Sequence, residues 1–137
     1  MVTDILPLIP QREPFVMIDT LIGSDETHTW TNFRVLPDNI FVQNGFLLEP
    51  ALVENIAQTA ASRLGQSSQL EGKSAPIGYI GAVQNLEIFA LPKVNDVLET
   101  EIKVEKQIFD VSVISGKIWC NDELMAQCEM KIFISKS

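Results

Sequence analysis

Two side chains one helical turn apart, Glu54 and Gln58, are the first candidates for chemistry in this sequence. They lie in a predicted helix and are therefore neighbours on its surface. They border the apolar stripe of that helix, where a carboxylate is either functional or paired with another group. Such a carboxylate can move protons as a general acid or base, although solvated surface glutamates are much commoner than catalytic ones.

The element that positions these side chains is a helix predicted over residues 50–64. Pro50 suits a first helical turn because its missing N–H would be unpaired there, and Gly65 suits the left-handed residue just past a helix end. The predicted buried stripe is rich in alanine, which allows a sheet to approach closely. Its members are Val53, Ile56, Ala57, Ala60, Ala61 and Leu64.

Length and composition indicate one globular domain over residues 1–137, since 46% of the residues are hydrophobic and 20% are charged. The net charge of -8 argues against nucleic-acid binding. We expect a cytoplasmic protein because no apolar run reaches the length of a membrane span and the first residues lack the features of a signal peptide.

The cysteine and histidine content predicts no metal site, and we expect no cofactor, since the chain has one histidine and no CxxC pair. If Asn121 and Asp122 form a two-residue hairpin turn, Cys120 and Cys128 lie on opposite faces of the paired strands. We therefore expect no disulfide between them.

Alternating apolar and polar residues predict an antiparallel sheet with one buried face. Strands are expected at residues 15–22, 27–35, 75–89, 98–105, 111–120 and 123–134, with a polar loop at 66–74. One helix must then cover one sheet, which is an α+β architecture. Because such a sheet leaves its edges exposed, we expect a dimer in which sheets join or helices pack together.

Two stretches resemble a known family. The first stretch is Leu8-Ile-Pro-Gln-Arg-Glu-Pro-Phe-Val-Met-Ile-Asp19, and the second is Glu54-Asn-Ile-Ala-Gln58. The first is similar to the opening signature of the hotdog-fold 3-hydroxyacyl-[acyl-carrier-protein] dehydratases, Leu-Pro-His-Arg-x-Pro-Phe-Leu-Leu-Val-Asp. The second falls on that family's Glu-Ala-x-Ala-Gln. Within the family, the chain is most similar to the dehydratase-like branch of aryl-polyene pathways. The resemblance implies the hotdog fold, an antiparallel sheet wrapped around one long central helix.

The resemblance also implies which residues take part in chemistry. The family uses a loop histidine, an acidic residue on the central helix of the partner subunit, and a backbone N–H at that helix's N-terminus. In this chain Glu54 matches the acidic residue and Glu49 the N–H position, where the family has glycine. Asn39-Ile-Phe-Val-Gln-Asn44 falls on the family's Gly-His-Phe-Pro-Gly-Asn, which puts Ile40 in place of the histidine. Isoleucine cannot transfer a proton.

Three functions of different kinds remain open. The first is a dehydratase-like enzyme for 3-hydroxyacyl thioesters in fatty-acid or polyene-type synthesis, either as a homodimer or higher oligomer, or as a mixed dimer with a histidine-bearing hotdog chain. The second is a hotdog thioesterase that uses Glu54. The third is a non-catalytic partner subunit that binds acyl thioesters. His28 lies in a predicted strand far from the loop and is not assigned to catalysis.

In each case the expected ligand is an acyl thioester on phosphopantetheine, carried by coenzyme A or a carrier protein. The residues expected to bind it are Ile40, Phe41, Glu49, Gln58 and Gly81.

Overall fold

The computed structural model describes residues 1–73 and 76–135, and its central element is one long helix, α1, spanning Glu49–Leu70. The predicted end at Leu64 is wrong, because Gly65 lies inside the helix and is buried. A Cβ at Gly65 would overlap the backbone carbonyl of Leu8, so the glycine allows the N-terminal segment to touch the helix. The predicted loop over 66–74 is accordingly helical as far as Leu70.

The helix packs on a six-stranded antiparallel sheet, which confirms the predicted α+β architecture. The strands are β1 (Thr20–Ser24), β2 (His28–Arg34), β3 (Val42–Gln43), β4 (Phe46–Leu47), β5 (Ile77–Ile88), β6 (Val97–Ile108), β7 (Val111–Cys120) and β8 (Glu123–Ser135). The strand order in the sheet is β1-β2-β6-β7-β8-β5, and a separate hairpin, β3-β4, lies just before the helix. Ser74 and Ala75, at the predicted loop end and strand start, are outside the described residues.

The first strand begins at Thr20, five residues later than predicted, because the preceding backbone bonds to helix side chains. Met17 donates its N–H to Gln58 Oε1 at 2.7 Å and accepts Asn55 Nδ2 on its carbonyl at 2.7 Å. The carbonyl of Phe15 accepts Gln58 Nε2 at 2.8 Å. The backbone of the apolar run over 15–18 therefore bonds to side chains of the helix and not to a neighbouring strand.

The face that α1 buries against the sheet is more polar than predicted. Val53, Ala61 and Leu64 are only half-buried, whereas Asn55 and Thr59 are fully buried. Buried polar groups require hydrogen-bond partners, and both residues have them across the interface with the sheet. Thr100 Oγ1 donates to Asn55 Oδ1 at 2.5 Å, and the hydroxyls of Thr59 and Thr31 lie 2.7 Å apart.

The hairpin between β7 and β8 turns through Asn121 and Asp122, whose φ angles are both positive, as predicted for a two-residue turn. The cysteines are free, as expected, but their predicted placement on opposite faces is wrong. A β-bulge shifts the strand register between Ile118 and Trp119. Cys120 and Cys128 consequently both enter the same core cluster beneath α1.

The sheet ends in two strand edges, and β5 forms one of them. The outer edge of β5 has no strand partner among the described residues. Several of its large apolar side chains are exposed, including Tyr79 at 59% and Leu86 at 43%. No helix within residues 1–73 and 76–135 is long and apolar enough to cross a membrane.

Candidate active site

Glu54 lies half-buried in a cleft of about 240 Å³ between α1 and the first residues of β5. The position follows from helix geometry, since Glu54 points along the edge of the face that packs on the sheet. The other residues lining this cleft are mostly apolar: Pro10, Gln11, Ala57, Ala61, Gly78, Tyr79, Ile80 and Ile132. A carboxylate in a largely apolar cleft is the kind of polar group that orients a bound ligand.

Gln58 fixes the orientation of that carboxylate. Its Nε2 donates to Glu54 Oε1 at 3.1 Å and to the Phe15 carbonyl at 2.8 Å, while its Oε1 accepts the Met17 N–H. Glu54 Oε2 has no hydrogen-bond partner among the described residues. Gln58 is fully buried and bonded to protein groups, so its predicted contact with substrate stays a prediction, and its observed role is to hold Glu54.

Asn55 anchors the same helical turn to the sheet and was not a sequence candidate. It is fully buried and joins the Met17 carbonyl to the Thr100 hydroxyl. A sequence shows that Asn55 is polar but not that its partners come from residues 38 and 45 positions away. This network keeps the helix in one register on the sheet, and therefore keeps Glu54 in place.

Gln11 is a second residue that sequence reasoning missed. Its side-chain oxygen is buried beside the Glu54 cleft and has no hydrogen-bond partner among the described residues. A signal was present, since Gln11 falls on the histidine of the opening signature that the sequence resembles. The substitution replaces a group that can carry a proton by one that can only accept or donate a hydrogen bond.

Ile40 is 47% exposed and lies in a different cleft, of about 320 Å³. The other residues that line that cleft are Glu13, Pro14, Val16, Asp19, Phe33, Leu36, Asp38 and Asn39. None of them lines the cleft of Glu54. Within one chain, the structure therefore does not bring together the two positions that the resemblance pairs.

Asp19 gives the Ile40 cleft an acidic group with altered titration. Burial raises the pKa of the Asp19 carboxyl above its ordinary value, and the backbone N–H of Arg34, donated at 2.7 Å, opposes this in part. The Asp19 carboxyl thus keeps its proton to a higher pH than a free aspartate would.

The remaining predicted binding residues line neither of these two clefts. Glu49 begins α1 and is exposed. The next residue, Pro50, has no N–H, and the N–H of Ala51 donates to the Leu48 carbonyl at 3.0 Å. Phe41 is half-buried against the core. Gly81 occupies a bulge in β5, where a Cβ would overlap the ring of Phe133. His28 lies on β2, with its ring stacked on Trp30, away from both clefts.

Comparison with solved structures identifies the fold. The chain aligns with a TM-score of 0.88 to the dehydratase heterocomplex ApeI:P from Xenorhabdus doucetiae, at 15% identity, covering 96% of this chain and 90% of the other. It also aligns with a TM-score of 0.69 to a hypothetical thioesterase from Streptococcus pneumoniae solved with coenzyme A, at 12% identity, covering 85% and 84% of the two chains. The arrangement of one helix on a six-stranded antiparallel sheet is therefore the hotdog fold.

Sequence comparison gives the family. The 3-hydroxyacyl-[acyl-carrier-protein] dehydratase FabZ of Sulfurimonas denitrificans is 27% identical over 143 residues, covering 97% of this chain and 95% of its own length. The enzyme of the same name from Natranaerobius thermophilus is 27% identical over 135 residues, covering 94% and 93%. The ApeP-like family model, described as ApeP dehydratase, matches residues 3–137. The chain belongs to the ApeP-like dehydratase family, which confirms the resemblance.

Proposed function

We propose that this chain is the histidine-lacking subunit of a mixed hotdog dehydratase that acts on 3-hydroxyacyl thioesters. Glu54 is its catalytic group, and a partner hotdog chain supplies the histidine that Ile40 replaces. One observation carries the proposal: Glu54, oriented by Gln58, lines one cleft, while Ile40, at the position of the missing histidine, lines another. A site that needs both groups is then assembled from two chains.

The chemistry requires two proton transfers. One group removes a proton from the carbon beside the thioester carbonyl, and another delivers a proton to the hydroxyl on the next carbon, whose C–O bond breaks as water leaves. Glu54 and the partner's imidazole divide these steps, each contributing about 10²–10⁴-fold. We expect the N–H of Glu49, at the N-terminus of α1, to stabilise negative charge on the thioester oxygen, because a helix N-terminus favours anions.

The exposed edge of β5 suggests how the second chain approaches. Gly78, Tyr79 and Ile80 belong to this edge strand and also line the Glu54 cleft. A strand that paired with the open side of β5 would satisfy its free backbone groups and cover its apolar side chains. It would also bring another chain directly beside Glu54. The solved heterocomplex from Xenorhabdus doucetiae supports a mixed assembly of this kind.

The proposal is tested by restoring the missing histidine. A short trans-2-enoyl pantetheine thioester is offered to the purified chain and to Ile40→His, with enoyl absorbance and free thiol recorded together. We expect little hydration by the unaltered chain, a gain in Ile40→His, and loss of that gain in Ile40→His combined with Glu54→Gln. Glu71→Gln in the Ile40→His background is the matched control, because Glu71 lies beyond the helix end and its one ion pair among the described residues is with exposed Lys73.

Two results would contradict the proposal. Thiol release by the unaltered chain, abolished by Glu54→Gln, would assign a thioesterase. A properly folded Ile40→His variant with no hydration activity would show that position 40 is not where the imidazole is missing.

A further inference from the structure

A third cleft, of about 340 Å³, lies on the face of the sheet that points away from α1. Strand register defines its geometry, since Trp30 on β2 pairs with Glu101 on β6, and Trp119 on β7 pairs with Glu99 on β6. The two indoles therefore stand on opposite sides of β6, on strands about 10 Å apart, because adjacent strands are spaced by about 4.8 Å. The two carboxylates lie between them. We call this site the tryptophan cleft.

The two carboxylates of the tryptophan cleft differ in their partners. Glu101 Oε2 accepts the Trp30 Nε1–H at 3.2 Å, and Glu101 Oε1 lies 3.8 Å from His28 Nε2. Glu99 makes no hydrogen bond and no ion pair within residues 1–73 and 76–135. Lys117 pairs with Glu101 in strand register, yet it forms no ion pair with any described residue. The tryptophan cleft thus contains one exposed carboxylate, Glu99, that has no ion-pair or hydrogen-bond partner in the described part of the chain and lies between two aromatic side chains.

We propose that the tryptophan cleft binds an arginine side chain presented by the surface of a partner protein. A guanidinium group is planar, stacks on indole faces and donates two parallel hydrogen bonds to a carboxylate. The net charge of -8 favours approach of a basic surface. Two apolar side chains that line the cleft, Ile22 and Val97, are 42% and 45% exposed, and exposed apolar groups beside a carboxylate suit a protein surface better than a free hydrophilic cation.

This site is independent of the proposed dehydratase function. The tryptophan cleft shares no lining residue with the clefts of Glu54 and Ile40, and it lies across the sheet from the helix that carries Glu54. If the tryptophan cleft binds no arginine, the catalytic proposal is unaffected. If Glu54 is not catalytic, the proposal for the tryptophan cleft is likewise unaffected.

Intrinsic fluorescence reports on this site directly, because the chain has two tryptophans and both line the cleft. The probes are N-acetyl-arginine amide and N-acetyl-citrulline amide, which have nearly the same shape but differ in charge. We expect a saturable fluorescence change with the arginine probe alone, and binding about threefold weaker in Glu99→Gln, as for an accessible ion pair. Glu87→Gln is the matched control, because Glu87 lies outside the cleft and accepts a hydrogen bond from Gln127.

A second comparison tests the exposed apolar side chains of the cleft. A five-residue peptide with leucines on both sides of the arginine should bind more tightly than the arginine amide, and Ile22→Ser should remove that gain. Equal responses to the arginine and citrulline probes, unchanged binding in Glu99→Gln, or no saturable response would each overturn the proposal. Tighter binding of tetramethylammonium than of the arginine amide would also overturn it and assign a small quaternary cation.

Discussion

Gln58 donates to the Glu54 carboxylate at 3.1 Å and at the same time to the Phe15 carbonyl at 2.8 Å. The candidate catalytic group is therefore tied, through one buried amide, to the backbone of the N-terminal segment. This link explains why a residue predicted to bind substrate is fully buried. It also means that the stability of the protein and the orientation of Glu54 depend on the same side chain.

Gln58→Leu should destabilise the protein by about 3 kcal/mol. Leucine leaves the Met17 N–H and the Phe15 carbonyl without partners, and each unpaired buried group costs about 1–3 kcal/mol. Urea unfolding measures the change, and Gln69→Leu, at an exposed position of the same helix, is the control. Equal stability of the two variants would show that the buried amide contributes nothing.

Gly65→Ala should destabilise the protein, although alanine in place of glycine normally favours a helix by about 1 kcal/mol. The new methyl group would overlap the Leu8 carbonyl, which is backbone and cannot rotate away. We expect a net loss of about 1–3 kcal/mol, the usual cost of overpacking. Thermal unfolding of Gly65→Ala beside Ser67→Ala, an exposed helical control, makes the comparison. A rise in melting temperature for Gly65→Ala would contradict the close contact.

Asp19→Asn should change the pH dependence of stability. Because burial raises the folded-state pKa of Asp19, the folded protein binds this proton more tightly than the unfolded chain does. The resulting stability is present below the ordinary pKa of 3.8 and is lost as the pH rises through the folded-state value. In urea unfolding at several pH values, the free energy of unfolding of Asp19→Asn should therefore increase relative to that of the unaltered protein as the pH rises.

Asp25→Asn provides a control of opposite sign for that experiment. Backbone N–H groups of His28 and Thr27 lower the pKa of Asp25, so its stabilising effect is present above the ordinary value and lost as the pH falls. The free energy of unfolding of Asp25→Asn should decrease relative to that of the unaltered protein as the pH rises. Parallel curves for the two variants would contradict both assignments.

The cysteines should resist alkylation in the folded protein. Burial raises the pKa of Cys120 to about 12, with Asp96 adding to the shift, and burial raises the pKa of Cys128 to about 11. Since the thiolate is the reactive form, iodoacetamide at mildly alkaline pH should modify both slowly until urea unfolds the chain. Rapid modification of the folded protein would mean that β7 and β8 open locally.

The sequence predicts the elements whose pattern is local. Strand β7 has the predicted bounds, and the two-residue turn at Asn121 and Asp122 follows from residues that tolerate positive φ. The helix was expected, but its length was not, because Gly65 is retained for a contact with Leu8, which is distant in sequence.

The candidate site is less predictable because its support comes from contacts distant in sequence. Glu54 and Gln58 are adjacent on the helix and could be paired from spacing alone. The bonds from Gln58 to Met17 and Phe15 span 41 and 43 residues, and they replace the first part of a predicted strand. Such pairings depend on which backbone groups the fold leaves unpaired, and residue spacing does not reveal them.

The central claim, that Glu54 acts with a histidine from another chain, can be tested by mixing two defective proteins. The unaltered chain has Glu54 without the loop histidine, and Ile40→His combined with Glu54→Gln has the histidine without the carboxylate. The two are refolded together and assayed for hydration of the enoyl thioester, with each protein refolded alone as the reference. We predict that the mixture reaches about a quarter of the rate of Ile40→His alone, because half of randomly formed dimers are mixed and each contains one complete site of two. Activity no greater than the sum of the separate proteins, while Ile40→His itself is active, would place both groups in one chain and contradict the account.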